Sequence, residues 1–256
     1  MNSYYKFHGA GNDFILIDAI AGNTTPDAKK IEALCNRHTG IGADGLIVIA
    51  LSEVADFRMH YFNSDGYEAE MCGNGARCSV AFAFSMNYCK AKTNFEASDG
   101  IHFGEILADN SHGKWQVKIS LNIASEPQKM PDNTFFVNTG VPHNVRPLNS
   151  IENIDVKTEG AILRYNSDMF PQGANINFVV FNNNSITIRT YERGVENETL
   201  ACGTGITASA LVAHNFFGFS WPIQIEARGG SLVVDIQNDV LWLEGPATKV
   251  FTAETE

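Results

Sequence analysis

A cysteine followed by a glycine-bracketed turn and an apolar run occurs twice in this chain, once in each half. The first copy, Cys-Gly-Asn-Gly at 72–75, precedes the run Ser-Val-Ala-Phe-Ala-Phe at 79–84. The second copy, Cys-Gly-Thr-Gly at 202–205, precedes Ser-Ala-Leu-Val-Ala at 209–213. The cysteines lie 130 positions apart in a chain of 256 residues. This spacing predicts a duplicated domain in which each half supplies one thiol.

Each copy has the composition of a turn that leads into a buried helix. Glycine lets the backbone bend tightly and lets a ligand approach closely. The first N–H groups of a helix have no partner within the helix, so they bind anions and favour a thiolate over a thiol. A single copy would more often be a structural turn before a core helix. Two copies with similar apolar helices favour a pair of reactive thiols.

Length and charge restrict the classes of function. A chain of 256 residues suits one large domain or two ordinary ones. Its formal net charge of −11 argues against binding to nucleic acid or to an anionic membrane surface. It does not exclude binding of a small anionic ligand. Five cysteines without framework spacing are a poor disulfide pattern. Since neither a signal peptide nor a membrane-spanning apolar stretch is recognisable, we expect a cytoplasmic protein with reduced thiols.

The segment 40–45, Gly-Ile-Gly-Ala-Asp-Gly, matches the glycine pattern of dinucleotide-binding loops. Such a loop needs a strand before it and a helix after it. Here the sequence predicts a helix at 26–38 before the glycines and a strand at 46–49 after them. Because the order is reversed, we reject a nicotinamide or flavin site and expect a helix-to-strand loop near the active site.

Short β-like segments fill most of the remaining chain. Each half is therefore predicted to be strand-rich around one apolar helix, which makes the fold class α+β. From the repeat we place the boundary near residue 115. The expected lobes are 1–115, carrying Cys72, and 116–256, carrying Cys202, and the extreme C-terminus can return to the first lobe.

The two cysteine motifs and several other segments of the chain resemble those of a known family. The segments MCGNGARC and ACGTG are similar to the two active-site signatures of the diaminopimelate epimerases. The resemblance extends over nearly the whole chain through KFHGAGNDF, NRHTGIGADGL, FNSDG, GVPH, YERG and GGSL. It implies two pseudo-symmetric lobes, each a barrel-like sheet wrapped around a central helix, with the active site in the cleft between them.

The resemblance also implies a reaction and a set of residues. The reaction is the interconversion of LL- and meso-2,6-diaminopimelate without a cofactor or metal. Two thiols suit it, because one can remove the α-proton from one face of the carbon while the other returns a proton to the opposite face. Cys72 and Cys202 would be this acid–base pair, and His143 and Glu192 would tune their protonation. The residues implied in substrate binding are Asn12, Asn63, Gly73, Asn74, Asn175, Glu192, Arg193, Gly203 and Thr204.

Three positions depart from the family pattern. Val141 stands where the family has an asparagine in its GNPH motif, and Gly45 stands where some members carry glutamine. The loop from Glu192 to Cys202 has Glu196 and Asn197 where a single residue is usual. These differences concern the contacts to the distal end of the substrate rather than the two-thiol chemistry.

Three other classes of protein compete with this interpretation. A proline or hydroxyproline racemase has similar two-cysteine chemistry, but usually carries histidine where this chain has Asn74. A thiol-based metal or redox module is disfavoured because the spacing of Cys72 and Cys78 fits neither a zinc ribbon nor a thioredoxin. A binding protein without catalytic activity is disfavoured by the presence of both cysteines. The expected partner is a small amino-acid substrate, and a homodimer is left open.

Overall fold

The computed structural model describes residues 2–122 and 125–255. The chain divides into two compact units, one formed by Met1–Ser120 with Glu244–Glu256 and the other by Leu121–Leu243. Residue 115, the boundary expected from the repeat, lies inside the strand Lys114–Leu121. The described residues form sixteen strands and four helices, so the α+β prediction is confirmed.

The first unit is a closed eight-stranded barrel in the described residues. Its strands follow one another around the barrel in chain order, and the last one, β16, pairs with both β7 and β1. The strands are β1 (Asn2–Gly9), β2 (Asn12–Asp18), β3 (Gly45–Ala50), β4 (Phe57–Asn63), β5 (Lys92–Ala97), β6 (Gly100–Asp109), β7 (Lys114–Leu121) and the part of β16 (Val240–Thr255) from Glu244 onward.

Helix α2 (Gly73–Ser85) is the core of this barrel. It packs against β1, β2, β3, β4 and β6, and all of its residues from Gly73 to Ala83 are buried. A helix that is apolar on every side needs such an enclosure. The shorter helix α1 (Ala28–Cys35) begins at Asp27, whose carboxylate accepts from the main chain of Lys30. The order α1, glycine loop, β3 is the one predicted from the sequence.

A tight turn at Ala10 and Gly11 brings the first two strands to the start of α2. Both residues have positive φ angles, +51° and +85°, as two-residue hairpin turns require. A Cβ atom at Gly9 would lie 2.9 Å from the main-chain oxygen of Asn74. Glycine at this position therefore allows the hairpin to approach the first turn of α2.

The second unit is built on the same plan, with a curved sheet around helix α4 (Gly203–Phe217). Helix α4 packs against β9, β10, β11, β12, β14 and β15 and ends at Gly218, which has a φ of +73°. The strands lie in the order β15-β14-β12-β11-β10-β9-β8, with β13 alongside β12. They are β8 (Gln128–Lys129), β9 (Phe135–Asn138), β10 (Pro142–Pro147), β11 (Asn175–Asn182), β12 (Ser185–Glu192), β13 (Asn197–Thr199), β14 (Ile223–Ala227) and β15 (Gly230–Gln237).

Helix α3 (Val156–Arg164) was not predicted from the sequence. Asp155 caps it by accepting from the main chain of Thr158, and the helix lies against β11, β12 and β13. Val156 and Gly160 are buried in it, and Ala161 and Leu163 are partly buried against the core of the second unit. Among the four helices of the described residues, none has the length and apolar character needed to cross a membrane.

Candidate active site

Cys72 and Cys202 occupy the same structural position in their respective units. Each is the residue immediately before the central helix, with φ and ψ of −104° and 118° at Cys72 and −105° and 108° at Cys202. Each main-chain oxygen accepts the first helical hydrogen bond, from Ala76 over 2.8 Å and from Ile206 over 2.9 Å. Neither thiol caps its helix. Each cysteine therefore stands at the end of its helix where the first N–H groups have no acceptor within the helix.

In the first unit, the Cys72 thiol faces the side chain of Asn12. The sulfur donates to Oδ1 of Asn12 over 3.6 Å, and Nδ2 of Asn74 donates to the same oxygen over 3.2 Å. The Asn12 amide nitrogen in turn donates to Asp44 over 2.7 Å. The structure thus brings together three of the predicted residues, Cys72, Asn12 and Asn74.

Arg77 lies beneath this cluster and is fully buried. Its guanidinium donates to Oδ1 of Asn74 over 2.7 Å and to the main-chain oxygens of Gly73 and Pro246. No carboxylate pairs with it among the described residues of the unit. Burial lowers its pKa to about 10, partly offset by Cys78 and Cys72, so the side chain remains a cation at neutral pH.

Asp44 anchors the opposite end of the cluster. Its carboxylate accepts from Asn12 and from Arg37, whose guanidinium also holds Asp13 over 2.7 Å. Lys6 donates to Asp13 as well, over 2.5 Å. Although burial alone would raise the pKa of Asp13, the hydrogen bonds from Arg37 and Lys6 hold it well below its usual range. A cation, two amides and an anion therefore form one chain, with Arg77 donating to Asn74, Asn74 to Asn12 and Asn12 to Asp44.

Asn63 and Gly45 face each other at the ends of β4 and β3. Asn63 is exposed, and its main chain closes the turn to Tyr67. A Cβ atom at Gly45 would lie 2.6 Å from both the main-chain oxygen of Phe62 and the ring of Tyr61. The ring of Tyr61 thus occupies the space that a longer side chain at position 45 would need.

In the second unit, Cys202 is almost fully buried. Its sulfur lies 3.4 Å from the hydroxyl of Thr204, and the main-chain oxygen of Thr204 accepts from the hydroxyl of Thr139 over 3.0 Å. Gly203 and Thr204 form the first turn of α4. The turn is therefore held in place from the loop that precedes β10.

His143 is completely buried between two asparagine side chains. Nδ2 of Asn177 lies 3.1 Å from its Nδ1, and Nδ2 of Asn175 lies 3.5 Å from its Nε2. Burial, reinforced by the positive charge of Arg193, lowers the pKa of His143 to about 3. The imidazole is therefore neutral at physiological pH.

Glu192 and Arg193 lie at the end of β12. Glu192 accepts from the hydroxyl of Thr199 over 2.9 Å, and the main-chain N–H of Arg193 donates to Oδ1 of Asn175 over 2.7 Å. The longer loop after them is anchored by Glu196, which accepts from the main chain of Gly194 and from the hydroxyl of Tyr191. Glu196 thus holds the loop that follows Arg193.

The other three cysteines have the character of structural thiols. Burial raises the pKa of Cys78 to about 12 and those of Cys35 and Cys89 to about 11. These thiols stay protonated at neutral pH and are weak nucleophiles. No group of histidine, cysteine and acidic side chains with the geometry of a metal site occurs in the described part of the chain.

Sequence reasoning missed four residues that support the predicted ones, namely Arg77, Asp44, Asn177 and Thr190. Arg77 carried a signal, because it is a charged residue inside an otherwise apolar helical run and three positions after Asn74. Asp44 lies in the 40–45 loop that the sequence placed near the active site, but nothing singled out its side chain, and Asn177 and Thr190 gave no signal. Their contacts join separate strands or loops, as in the bond between Asn12 and Asp44 across 32 positions.

Comparison with known proteins places these features in a family. The sequence model of the diaminopimelate epimerases matches residues 4–119 and 135–250. The diaminopimelate epimerase of Flavobacterium psychrophilum is 45% identical over 258 residues, covering 96% of this chain and 97% of that protein. That of Chlorobaculum tepidum is 40% identical over 250 residues, covering 95% of this chain and 97% of that protein.

Solved structures at lower identity share the fold. A phenazine biosynthesis protein of the PhzF family from Bacillus anthracis aligns over the whole of both chains with a TM-score of 0.71 at 18% identity. A probable proline racemase from Agrobacterium radiobacter aligns over 100% of this chain and 93% of its own, with a TM-score of 0.75 at 11% identity. The predicted architecture of sheets wrapped around central helices is confirmed, and with matches in sequence over both units the chain belongs to the diaminopimelate epimerase family.

Proposed function

We propose that this protein is a diaminopimelate epimerase that interconverts LL- and meso-2,6-diaminopimelate by proton transfer at one α-carbon. The observation that carries the proposal is the equivalent placement of Cys72 and Cys202, each at the start of the central helix of its unit. The activity is that of an isomerase acting on a small amino acid. It belongs to the supply of lysine and of peptidoglycan precursors.

Cys72 and Cys202 act as acid and base in this mechanism. One sulfur, as thiolate, removes the α-proton from one face of the carbon, and the other, as thiol, delivers a proton to the opposite face. One C–H bond is broken on one face and one C–H bond is formed on the opposite face, so the carbon again has four bonds in the product, and the two sulfurs have exchanged protonation states. In the reverse direction their roles are exchanged.

The weak acidity of the α-proton is the main obstacle to this chemistry. The N–H groups at Gly73 and Asn74 and at Gly203 and Thr204 can hold the α-carboxylate and stabilise the charge that develops as the proton leaves. Arg193 can bind a carboxylate through two parallel hydrogen bonds. Asn63 and Asn175 are assigned to the distal amino-acid end, where a centre of fixed configuration would restrict inversion to the other centre.

Deuterium incorporation tests the two-thiol mechanism. LL-diaminopimelate is incubated with enzyme in deuterated water, and early product is analysed by mass spectrometry and NMR. The delivering thiol has exchanged with solvent, so product should carry deuterium at the inverted carbon while recovered substrate carries little. Early product without deuterium would contradict the roles given to the two cysteines.

Cysteine variants provide the matched comparison. Cys72→Ala and Cys202→Ala should each abolish epimerisation in both directions, whereas Cys78→Ala removes a buried thiol from the same helix as Cys72 and should keep the activity. L-Proline serves as the competing substrate. Turnover of proline in preference to diaminopimelate would favour the racemase alternative. That alternative is otherwise supported only by similarity of fold.

Three further expectations accompany this function. The net charge of −11 supports a protein that does not bind nucleic acid, and five cysteines without disulfide spacing support a cytoplasmic location. A homodimer is the third expectation, and analytical ultracentrifugation would test it.

A further inference from the structure

The two amides beside His143 both direct a nitrogen at the imidazole. Nδ2 of Asn177 lies 3.1 Å from Nδ1, and Nδ2 of Asn175 lies 3.5 Å from Nε2. A neutral imidazole has one nitrogen that accepts and one that donates. The ring therefore cannot accept from both amides. The more rigidly oriented amide decides which nitrogen carries the proton.

The orientation of Asn177 is fixed by its other partners. Its Nδ2 also lies 3.1 Å from the main-chain oxygen of Asn144, which can only accept, and its Oδ1 accepts from the hydroxyl of Thr190 over 3.0 Å. Flipping the amide would place two oxygens 3.1 Å apart inside the core, at the cost of an unmade buried hydrogen bond. Nδ2 must therefore remain the donor, and Nδ1 of His143 must accept from it.

The orientation of Asn175 is fixed as well. Its Oδ1 accepts from the main-chain N–H of Arg193 over 2.7 Å, so its Nδ2 is the atom that faces the ring. With the proton on Nε2, both Nε2 of His143 and Nδ2 of Asn175 are hydrogen-bond donors, and they lie 3.5 Å apart. Neither can accept a hydrogen bond from the other. Two adjacent donors form a site for a negatively charged acceptor.

We propose that Asn177 is a positioning residue that holds His143 in the neutral tautomer protonated on Nε2, which makes His143 a hydrogen-bond donor to an anion rather than a base. This inference rests on the proposed function, in which the anions are a cysteine thiolate and the carboxylate of the substrate. It changes the way in which His143 would tune the chemistry. The side chain stabilises negative charge and does not take up the proton of a thiol.

The charge state of the ring supports this assignment. Burial and the nearby Arg193 keep the pKa of His143 at about 3, so an imidazolium is not available at neutral pH. Gly205 makes the arrangement sterically possible, because a Cβ atom there would lie 2.3 Å from Oδ1 of Asn177. The second glycine of the motif in α4 thus leaves room for the amide that orients the imidazole.

Nitrogen NMR of protein labelled with ¹⁵N-histidine tests the tautomer directly, without substrate. The His143 signals are assigned by comparison with His143→Gln. We expect an unprotonated Nδ1 and a proton-bearing Nε2, unchanged between about pH 5 and 8, where an exposed histidine titrates. A proton on Nδ1, or titration of the ring within this range, would overturn the proposal.

Asn177→Asp tests the role of the amide. A carboxylate only accepts, so the proton should move to Nδ1 or the ring should take a second proton. The matched control is Asn144→Asp, because the Asn144 side chain is equally buried and bonds to Thr134 and Phe135 but does not contact the ring. The control should keep the proton on Nε2. An unchanged tautomer in Asn177→Asp would also overturn the proposal.

Activity provides the second readout. Loss of one oriented donor to a developing charge should lower kcat on LL-diaminopimelate about 10²-fold in Asn177→Asp, with a smaller effect in the control. If Asn177→Asp does not fold, Thr190→Val removes only the hydroxyl that holds Oδ1 and should lower kcat in the same direction. A wild-type ring with the expected tautomer but no epimerase activity would contradict the proposed function and leave the tautomer assignment intact.

Discussion

Arg77 donates to the side-chain oxygen of Asn74 over 2.7 Å, and both residues are buried in the first turns of α2. This bond fixes the amide of Asn74 with its nitrogen toward Asn12. At the other end of the chain of contacts, Asp44 fixes the amide of Asn12 with its nitrogen outward and its oxygen toward the Cys72 sulfur. The charged groups at the two ends thus determine which atom faces the thiol.

Replacement of Arg77 by methionine should destabilise the first unit and remove activity. The buried oxygens of Gly73, Pro246 and Asn74 would each lose a charged donor, which we expect to cost on the order of 3 kcal/mol. Urea unfolding measures the change. The control, Arg58→Met, loses a half-exposed ion pair with Glu96 and should cost under about 1 kcal/mol. Equal losses in the two variants would show that the buried guanidinium has no special role.

Replacement of Asp44 by asparagine should impair catalysis more than stability. Asparagine can present a nitrogen or an oxygen to Asn12, so the amide of Asn12 is no longer held in one orientation. One hydrogen bond of about 1.4 kcal/mol corresponds to about a tenfold fall in kcat/KM. Steady-state kinetics and urea unfolding of the same preparation separate the two effects.

Asp56→Asn is the control for this substitution. Asp56 accepts from the hydroxyl of Thr93 and the main-chain N–H of Asn94. These residues are not part of the series of hydrogen bonds that joins Arg77, Asn74, Asn12 and Asp44. We expect a loss of stability comparable to that of Asp44→Asn with kcat/KM retained. A fall in kcat/KM as large as that in Asp44→Asn would refute the positioning role of Asp44.

The sequence was informative where a function depends on a local motif and uninformative where it depends on contacts between distant residues. The two cysteine motifs and the order of α1, glycine loop and β3 are local patterns, and the corresponding elements lie where the sequence predicts them. Asp44 and Asn177 act through partners on other strands or loops, and polar residues at such positions resemble ordinary turn or edge residues. The pairing of β16 with β1, which closes the first barrel, is also non-local.

The second glycines of the two motifs should respond differently to alanine. At Gly75 the new Cβ would meet the ends of the Ile47 and Met59 side chains at 3.0 and 3.2 Å, and these can shift. At Gly205 it would lie 2.3 Å from Oδ1 of Asn177, whose position is fixed by its hydrogen bonds. Both substitutions gain helix propensity, but Gly205→Ala should also cost about 1–3 kcal/mol by overpacking and so destabilise the protein more than Gly75→Ala.

Thermal unfolding and activity measure this difference. Because Gly75 and Gly205 hold equivalent places in the repeat, each variant is the control for the other. Gly205→Ala should also disturb the orientation of His143, so its kcat should fall further than that of Gly75→Ala. Equal effects on stability and kcat would indicate that the contact between Gly205 and Asn177 does not matter.

His143 should make folding stability depend on pH below neutrality. Its pKa in the folded protein is about 3, below the value of about 6.5 for a histidine in an unfolded chain. Between these two values the unfolded chain binds a proton that the folded protein does not bind. The contribution of His143 to stability is therefore fully present above about pH 6.5 and is lost progressively as the pH falls toward 3, by about 1.4 kcal/mol per pH unit.

Urea unfolding at a series of pH values isolates this contribution when the wild type is compared with His143→Gln. Carboxylates also titrate in acid, but they are common to both proteins, so the difference between the two slopes reports the buried imidazole. The variant should lose less stability than the wild type between about pH 6.5 and 5. His38→Gln, at an exposed position, should keep the wild-type slope. Parallel curves for the wild type and His143→Gln would mean that the imidazole can take up a proton in the folded protein, which would remove the basis for treating it as a neutral donor.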